Sequence, residues 1–161
     1  MRETSGMADH HLAQVNIALP KEPLDAPLLA DFVEWLEPVN ARADRAAGFV
    51  WRLQTEDGDA TGIRAFGDDR LIVNMSVWES IEALQSFVYR DRGHLAVVRR
   101  RREWFDRMDT FMVLWWVSAG HHPTVEEAEE RLELLRRDGP TQAAFTFREH
   151  FPEPEGSITP A

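Results

Sequence analysis

Two short stretches of the chain place polar side chains at every second position. In "LAQVNIAL" (12–19) these are Gln14 and Asn16; in "LIVNMSVW" (71–78) they are Asn74 and Ser76, with Trp78 next in the series. Successive strand side chains point to opposite faces of a sheet, so each set shares one face. A carboxamide there can bond a substrate carbonyl, or hold an enolate or peroxy anion as it forms. The alternative is that Asn16 and Asn74 satisfy each other across adjacent strands. Trp78 and Trp116 can clamp a flat substrate by stacking, or fill an interface. Arg52 can pair with a carboxylate or phenolate, or close an inter-subunit salt bridge. His94 is a candidate general base, an axial haem ligand, or a histidine bonded to nearby backbone. Tyr89, the only tyrosine, is the lesser acid–base candidate. The catalytic candidates are therefore His94, Asn16 and Tyr89. The substrate-binding candidates are Trp78, Trp116, Arg52, Asn74, Gln14 and Ser76.

Other polar clusters read more plainly. His121 and His122 are adjacent and have no third ligand at a fitting spacing, so no metal site is expected. The run "RRRR" (99–102) points all round a helix and is read as solvated or paired with acids such as Glu103. The run "EEAEE" (126–130) is a solvated helix face. No Gly-rich phosphate loop, nucleophile elbow or zinc motif is present.

The elements that must position these residues follow from periodicity. Strands are expected at 12–19, 48–55, 71–78, 111–118 and 143–147, with "GIRAFGDD" a short hairpin extension. Asp25 is placed to cap a first helix carrying Leu28, Leu29, Phe32, Val33 and Leu36, with Pro38 kinking or restarting it. Ser80 caps a second, with Ile81, Leu84, Phe87 and Val88 inward, and a third runs from about His94 to Met108. The last helix is marked at both ends, by Thr124 with Glu127 and by Gly139-Pro140. The order β-α-β-β-α-β, then α-β, begins as the ferredoxin-like order. The fold class is α+β: a ferredoxin-like antiparallel sheet with helices on one face.

Parity divides the sheet. Val15, Ile17, Leu19, Phe49, Trp51, Leu53, Val73, Met75, Val77, Phe145 and Phe147 form an apolar set, assigned to the face under the helices. Gln14, Asn16, Arg52, Asn74, Ser76, Trp78 and Thr146 form a mixed set. Trp115 and Trp116 cannot share a face, and Met112, Leu114 and Trp116 are assigned to the mixed one. Such a face resembles a ligand-pocket wall. If it is open, a second copy packing sheet to sheet closes the pocket, which predicts a symmetric homodimer.

Composition bounds the function. A length of 161 residues suits one domain, expected at 11–150, with residues 1–10 and 151–161 as disordered ends. The net charge of −10 argues against nucleic-acid binding. No apolar run approaches the roughly 20 residues of a membrane span, and no signal peptide is expected in "MRETSGMADHH". The absence of cysteine fits the cytoplasm, and arginine outnumbering the single Lys21 suggests a G+C-rich, bacterial coding bias.

The segments "HLAQVNIA", "SVWESIEALQSFVY", His94, "RRREWF", "VLWWVSAGHHPTVEEA" and "GPTQAAFTF" together resemble the family catalogued as domain of unknown function 3291. The resemblance covers about residues 10–150. It implies the dimeric α/β-barrel superfamily, and hence a homodimer. That superfamily includes cofactor-independent monooxygenases, polyketide cyclases and haem-degrading enzymes. The haem-degrading members use an Asn on the first strand, a Trp ending the third and a His on the following helix; Asn16, Trp78 and His94 are similar by position. The resemblance thus implies a small-molecule enzyme of specialised metabolism, a cofactor-independent monooxygenase or cyclase for an aromatic or polyketide-like substrate. Haem binding and a non-catalytic binding or interaction module are the alternatives.

Overall fold

Val15, Ile17 and their neighbours make the first strand a central one, and it organises the rest. The computed structural model describes residues 9–53, 71–107 and 111–154. In chain order the elements are β1 (His10–Pro20), a 3-10 turn (Pro27–Leu29), α1 (Ala30–Asp44), β2 (Phe49–Arg52), β3 (Ile72–Trp78), α2 (Ile81–Arg90), α3 (Arg92–Trp104), β4 (Phe105–Asp106), β5 (Met112–Ser118) and α4 (Val125–Asp138). β1 pairs antiparallel with β3 on one side and with β5 and the short β4 on the other; β2 lies outside β3. The resulting order, β2-β3-β1-β5, is that of the ferredoxin-like fold.

Caps set the helix starts. The hydroxyl of Ser80 accepts from Ala83 N at 3.0 Å, Asp91 from His94 N at 2.9 Å, and Thr124 from Glu127 N at 3.1 Å. Asp25 does not cap: the 3-10 turn follows Ala26, with no side-chain cap. Pro38 sits inside one continuous helix rather than restarting it. The inward stripe of the first helix is narrower than its spacing suggests, for Val33 of α1 and Leu28 of the preceding 3-10 turn are exposed. α3 ends at Trp104, short of Met108. Residues 143–147 form no strand, only two isolated bridges, Phe145 to Leu114 and Ala144 to Thr141. The expected "GIRAFGDD" extension lies outside the described residues.

The register confirms which residues share a face and reverses which face the main helices take. Leu12 faces Trp78, Gln14 faces Ser76 and Asn16 faces Asn74, with Trp116, Leu114 and Met112 in line on β5. This mixed face, expected to be open, lies beneath α1, α2 and α3. At one end Leu12, Trp78 and Leu114 pack with Ile81 and Leu84 of α2; at the other Ile72 packs with Leu29, Phe32 and Trp104. The apolar face, including Val15, Val73, Met75, Val77 and Trp115, is covered by Ala128, Leu132 and Leu135 of α4. Leu12, Ala13, Gln14 and Val15, two facing each way, are each at most 4% exposed in a single chain. Neither face is bare at this point, so sheet-to-sheet packing of two chains is not needed to cover it.

Two smaller reversals have local causes. A bulge between Phe49 and Trp51 sends Phe49 to the mixed face, edge-on to Trp78 at 5.4 Å, while Trp51 stays with the apolar face. The bridge to Leu114 carries Phe145 to the mixed face. The segment that follows lies against the domain instead of trailing away. Phe151 O accepts from Trp116 Nε1 at 2.9 Å, and Glu153 accepts from His10 N at 2.9 Å.

Gly48 sets how closely α2 approaches β2. Its φ is +84°, and an added Cβ would overlap Ala83 Cβ. Gly48→Ala is expected to destabilise the fold by about 1–3 kcal/mol, through overpacking and a backbone conformation that alanine disfavours. The midpoint of urea unfolding reads this directly.

Candidate functional site

Polar side chains on the mixed face form one connected chain across β1 and β3. Trp78 Nε1 donates to Ser76 Oγ at 2.8 Å, and Gln14 Nε2 donates to the same oxygen at 2.8 Å. Gln14 Nε2 also donates to Asn74 Oδ1 at 2.9 Å. Asn16 Nδ2 donates to Gln14 Oε1 at 3.0 Å and to Asn74 Oδ1 at 3.3 Å. The period-two polar positions are therefore coupled, as sharing a face on neighbouring strands allows. The asparagines do bond each other, but the ladder does not use all their atoms. Asn16 Oδ1 and Asn74 Nδ2 have no hydrogen bond among the described residues.

Burial runs down the ladder. Trp78 is 1%, Gln14 4% and Ser76 8% exposed, Asn16 is half-buried and Asn74 is exposed. Asn74 belongs to β3, on the face that carries three helices, just past the end of β2, whose last register partner is Ser76. An exposed side chain there marks a gap between the two apolar clusters anchoring those helices. The gap opens over the amides, where apolar cover would leave polar groups unpaired.

His94 stands at the first turn of α3. Its Nδ1 lies 3.0 Å from Val88 O and serves as the donor, since a carbonyl only accepts; the neutral ring then keeps a lone pair on Nε2. Burial is the largest influence on this imidazole and lowers its pKa; the Val88 bond and the Asp91 charge oppose the shift without overcoming it. Phe87 stands between His94 and the ladder, with its ring 5.1 Å from His94 and 5.5 Å from Trp78.

The remaining candidates divide. Trp116 shares the mixed face with Trp78 and is tied by its indole nitrogen to Phe151 O. Arg52 also faces this side, opposite Ser76, and its Nε bonds Asp44 of the same chain at 2.7 Å. Tyr89 is 58% exposed, edge-on to Phe147, and does not join the ladder. Sequence reasoning missed Phe87 and Phe151 as site residues. Phe87 reads as an ordinary member of a helix stripe, and Phe151 follows the last regular element.

Elsewhere, His121 Nε2 lies 2.7 Å from Glu127 Oε1, and His122 stacks on Trp51 at 4.7 Å. Among the described residues no group of three or more His, Asp or Glu side chains is placed to hold a metal ion. A surface groove of about 450 Å³ between the α1–β2 turn and α2 is lined by Gly48, Glu79, Ala83, Phe87 and Arg90, and by none of the predicted site residues. No described helix is long and apolar enough to cross a membrane.

A split β-α-β sheet with a polar ladder under its helices is a ferredoxin-like α+β domain. The chain belongs to the family described as a domain of unknown function, DUF3291, which matches residues 11–160. No curated protein matches it. Among solved structures, it is similar to SnoaB, a cofactor-independent oxygenase from Streptomyces nogalater, at 19% identity and TM-score 0.46, over 71% of this chain and 97% of that one. A Pseudomonas aeruginosa protein is similar at 14% identity and TM-score 0.48, over 72% and 100% of the two chains. A conserved protein from Methanosarcina mazei is similar at 8% identity and TM-score 0.49, over 68% and 93%.

Two measurements test the site's physical basis. Ser76→Ala removes the acceptor of two buried donors, so it is expected to cost about 1–3 kcal/mol in urea unfolding. His94 has a lowered folded pKa, so the unfolded chain takes up the proton first. Its contribution to stability is full above the ordinary value of 6.5 and is lost as the pH falls from there through the folded value. Urea midpoints at a series of pH values should therefore decline on the acid side, less steeply in His94→Gln.

Proposed function

We propose that the chain is a small-molecule enzyme that oxidises or cyclises an aromatic or polyketide-like metabolite, without a cofactor, in the gap beneath α1–α3. The observation that carries this reading is the exposed Asn74 amide on the helix-covered face, at the end of a ladder rooted in buried Trp78. In the direction the bonds run, the free donors belong to Asn74, since Asn16 Nδ2 is engaged twice. Asn74 therefore holds the developing substrate anion, and Asn16 positions it. His94, with its lone pair on Nε2, takes the substrate proton through water, since the Phe87 ring stands between it and the ladder. Tyr89 has no part in this, being on the outer surface. Trp78 and Trp116 line the apolar end, keep water out and orient the ring.

In the oxygenase form the substrate anion is itself the reductant. A ring methylene reacts with O2, a carbon–oxygen bond forms, and water leaves as the carbonyl appears. In the cyclase form the same anion attacks a carbonyl of its own chain. The homodimer that the family resemblance implies remains part of the proposal, joined through surfaces other than the mixed face.

An oxygen electrode with 1,8-dihydroxyanthrone is the test. Uptake above the spontaneous rate is expected, reduced about 10²-fold in Asn74→Ala and by about 10² or more in His94→Ala. Uptake equal to background, with His94→Ala indistinguishable from the parent, overturns the oxygenase form.

A second reading is favoured by one feature. The tautomer that leaves Nε2 of His94 free is the one an axial haem ligand needs. Haem held there would supply redox chemistry, with His94 as the residue that binds it. Added haem would then give a Soret band that His94→Ala loses; no band in the parent chain disposes of this reading.

A further inference from the structure

The ladder ends in a specific pair of atoms. Trp78 Nε1 can only donate, so Ser76 Oγ accepts from it. Gln14 then gives one N–H to Ser76 and one to Asn74 Oδ1, and its own oxygen is taken by Asn16 Nδ2. What remains at the open end is Asn74 Nδ2, a donor, beside Asn16 Oδ1, an acceptor. These two residues are direct partners in the β1–β3 register. Turning every amide over together, with the Ser76 hydroxyl donating to Gln14, keeps the side-chain bonds but sets Gln14 Oε1 against Asn74 O, which lies 3.5 Å away and only accepts. It leaves Asn74 Oδ1 beside Asn16 Nδ2, again one acceptor beside one donor. The pattern follows from the connectivity and not from the assignment of any one amide.

We infer that the gap recognises a flat ring system carrying a hydrogen-bond donor and an acceptor side by side, as a lactam or amide edge does. This rests on the gap over Asn74 being the binding site, and it narrows the substrate class for that site. A carbonyl oxygen accepts from one asparagine while the neighbouring N–H donates to the other. A carboxylate offers two acceptors and meets an acceptor in the site. A lactone, with an ether oxygen in place of the N–H, does the same. Such mismatches are discriminated strongly, because a polar group of the site is left unpaired as water is displaced.

The probe is 2-quinolone, compared with coumarin, its lactone isostere, by calorimetric titration of the full chain. 2-Quinolone is expected to bind tighter by about tenfold or more. Equal affinity for the two overturns the inference but leaves the gap a binding site for flat rings. Failure of both to bind overturns the gap as that site, and this inference with it. Asn74→Asp gives an independent arm. Its carboxylate still accepts from Gln14 and Asn16 but replaces the free donors by an acceptor, so the edge becomes two acceptors. Preference should then pass to protonated 2-aminoquinoline, which presents two donors. A variant that folds and still prefers 2-quinolone overturns the assigned role of Asn74.

Discussion

An indole nitrogen donates a hydrogen bond and cannot accept one, and that of Trp78 is buried beneath helices. It must therefore find an acceptor inside the protein, and Ser76 on the same strand face provides it. With Gln14 Nε2 also donating to the Asn74 carbonyl, which only accepts, the polarity of Gln14, Asn74 and Asn16 follows, because each atom's role limits its neighbour's. A connected polar chain across the middle of a sheet cannot be sealed by apolar helix side chains without leaving groups unpaired. The helices instead anchor at its two ends, at Leu12 and Trp78 on one side and at Ile72 on the other. The gap between them follows from the ladder.

The residues of that gap were legible in the sequence, while their setting was not. A period of two identifies which side chains share a face, and the register bears out the grouping of Gln14, Asn16, Asn74, Ser76 and Trp78, with Trp116 in place of Trp115. Parity carries no information on which face receives the helices. The usual preference for covering the more apolar face gave the wrong direction, because α4, outside the six-element core, covers that face itself. The bulge between Phe49 and Trp51 moved Phe49 across the sheet, while Gly48 just before it reads in the sequence only as the turn into the strand. The ladder's free atoms were beyond a one-dimensional reading. They depend on which amide faces which across β1 and β3, and that is a property of register.

The two faces are held by different chemistry. On the apolar side Trp115 Nε1 donates to Glu127 Oε2 at 2.8 Å, so the capping-box glutamate is drawn toward the sheet. Burial alone would raise the Glu127 carboxyl, but the bonds from His121 and Trp115 outweigh it and leave the pKa lowered. On the mixed side Arg100 brackets α1 and α3. Its guanidinium lies 5.4 and 4.9 Å from the rings of Trp35 and Trp104 while pairing with Asp31 and Glu103. One arginine of the "RRRR" run is thus a cross-link between helices. A clamp placed beside the gap, and not across it, ties α1 to α3 while the amides stay accessible.

His10, at the first turn of the backbone into the sheet, and Glu153, near the last described residue, are joined by a 2.9 Å hydrogen bond. Both ends of the domain thus emerge at one corner, beside the indole of Trp116. The described chain therefore enters and leaves the domain at one corner. Substitutions at His10 or Glu153 bear on a single edge of the aromatic cluster and leave the middle of the sheet, where Asn74 lies, untouched.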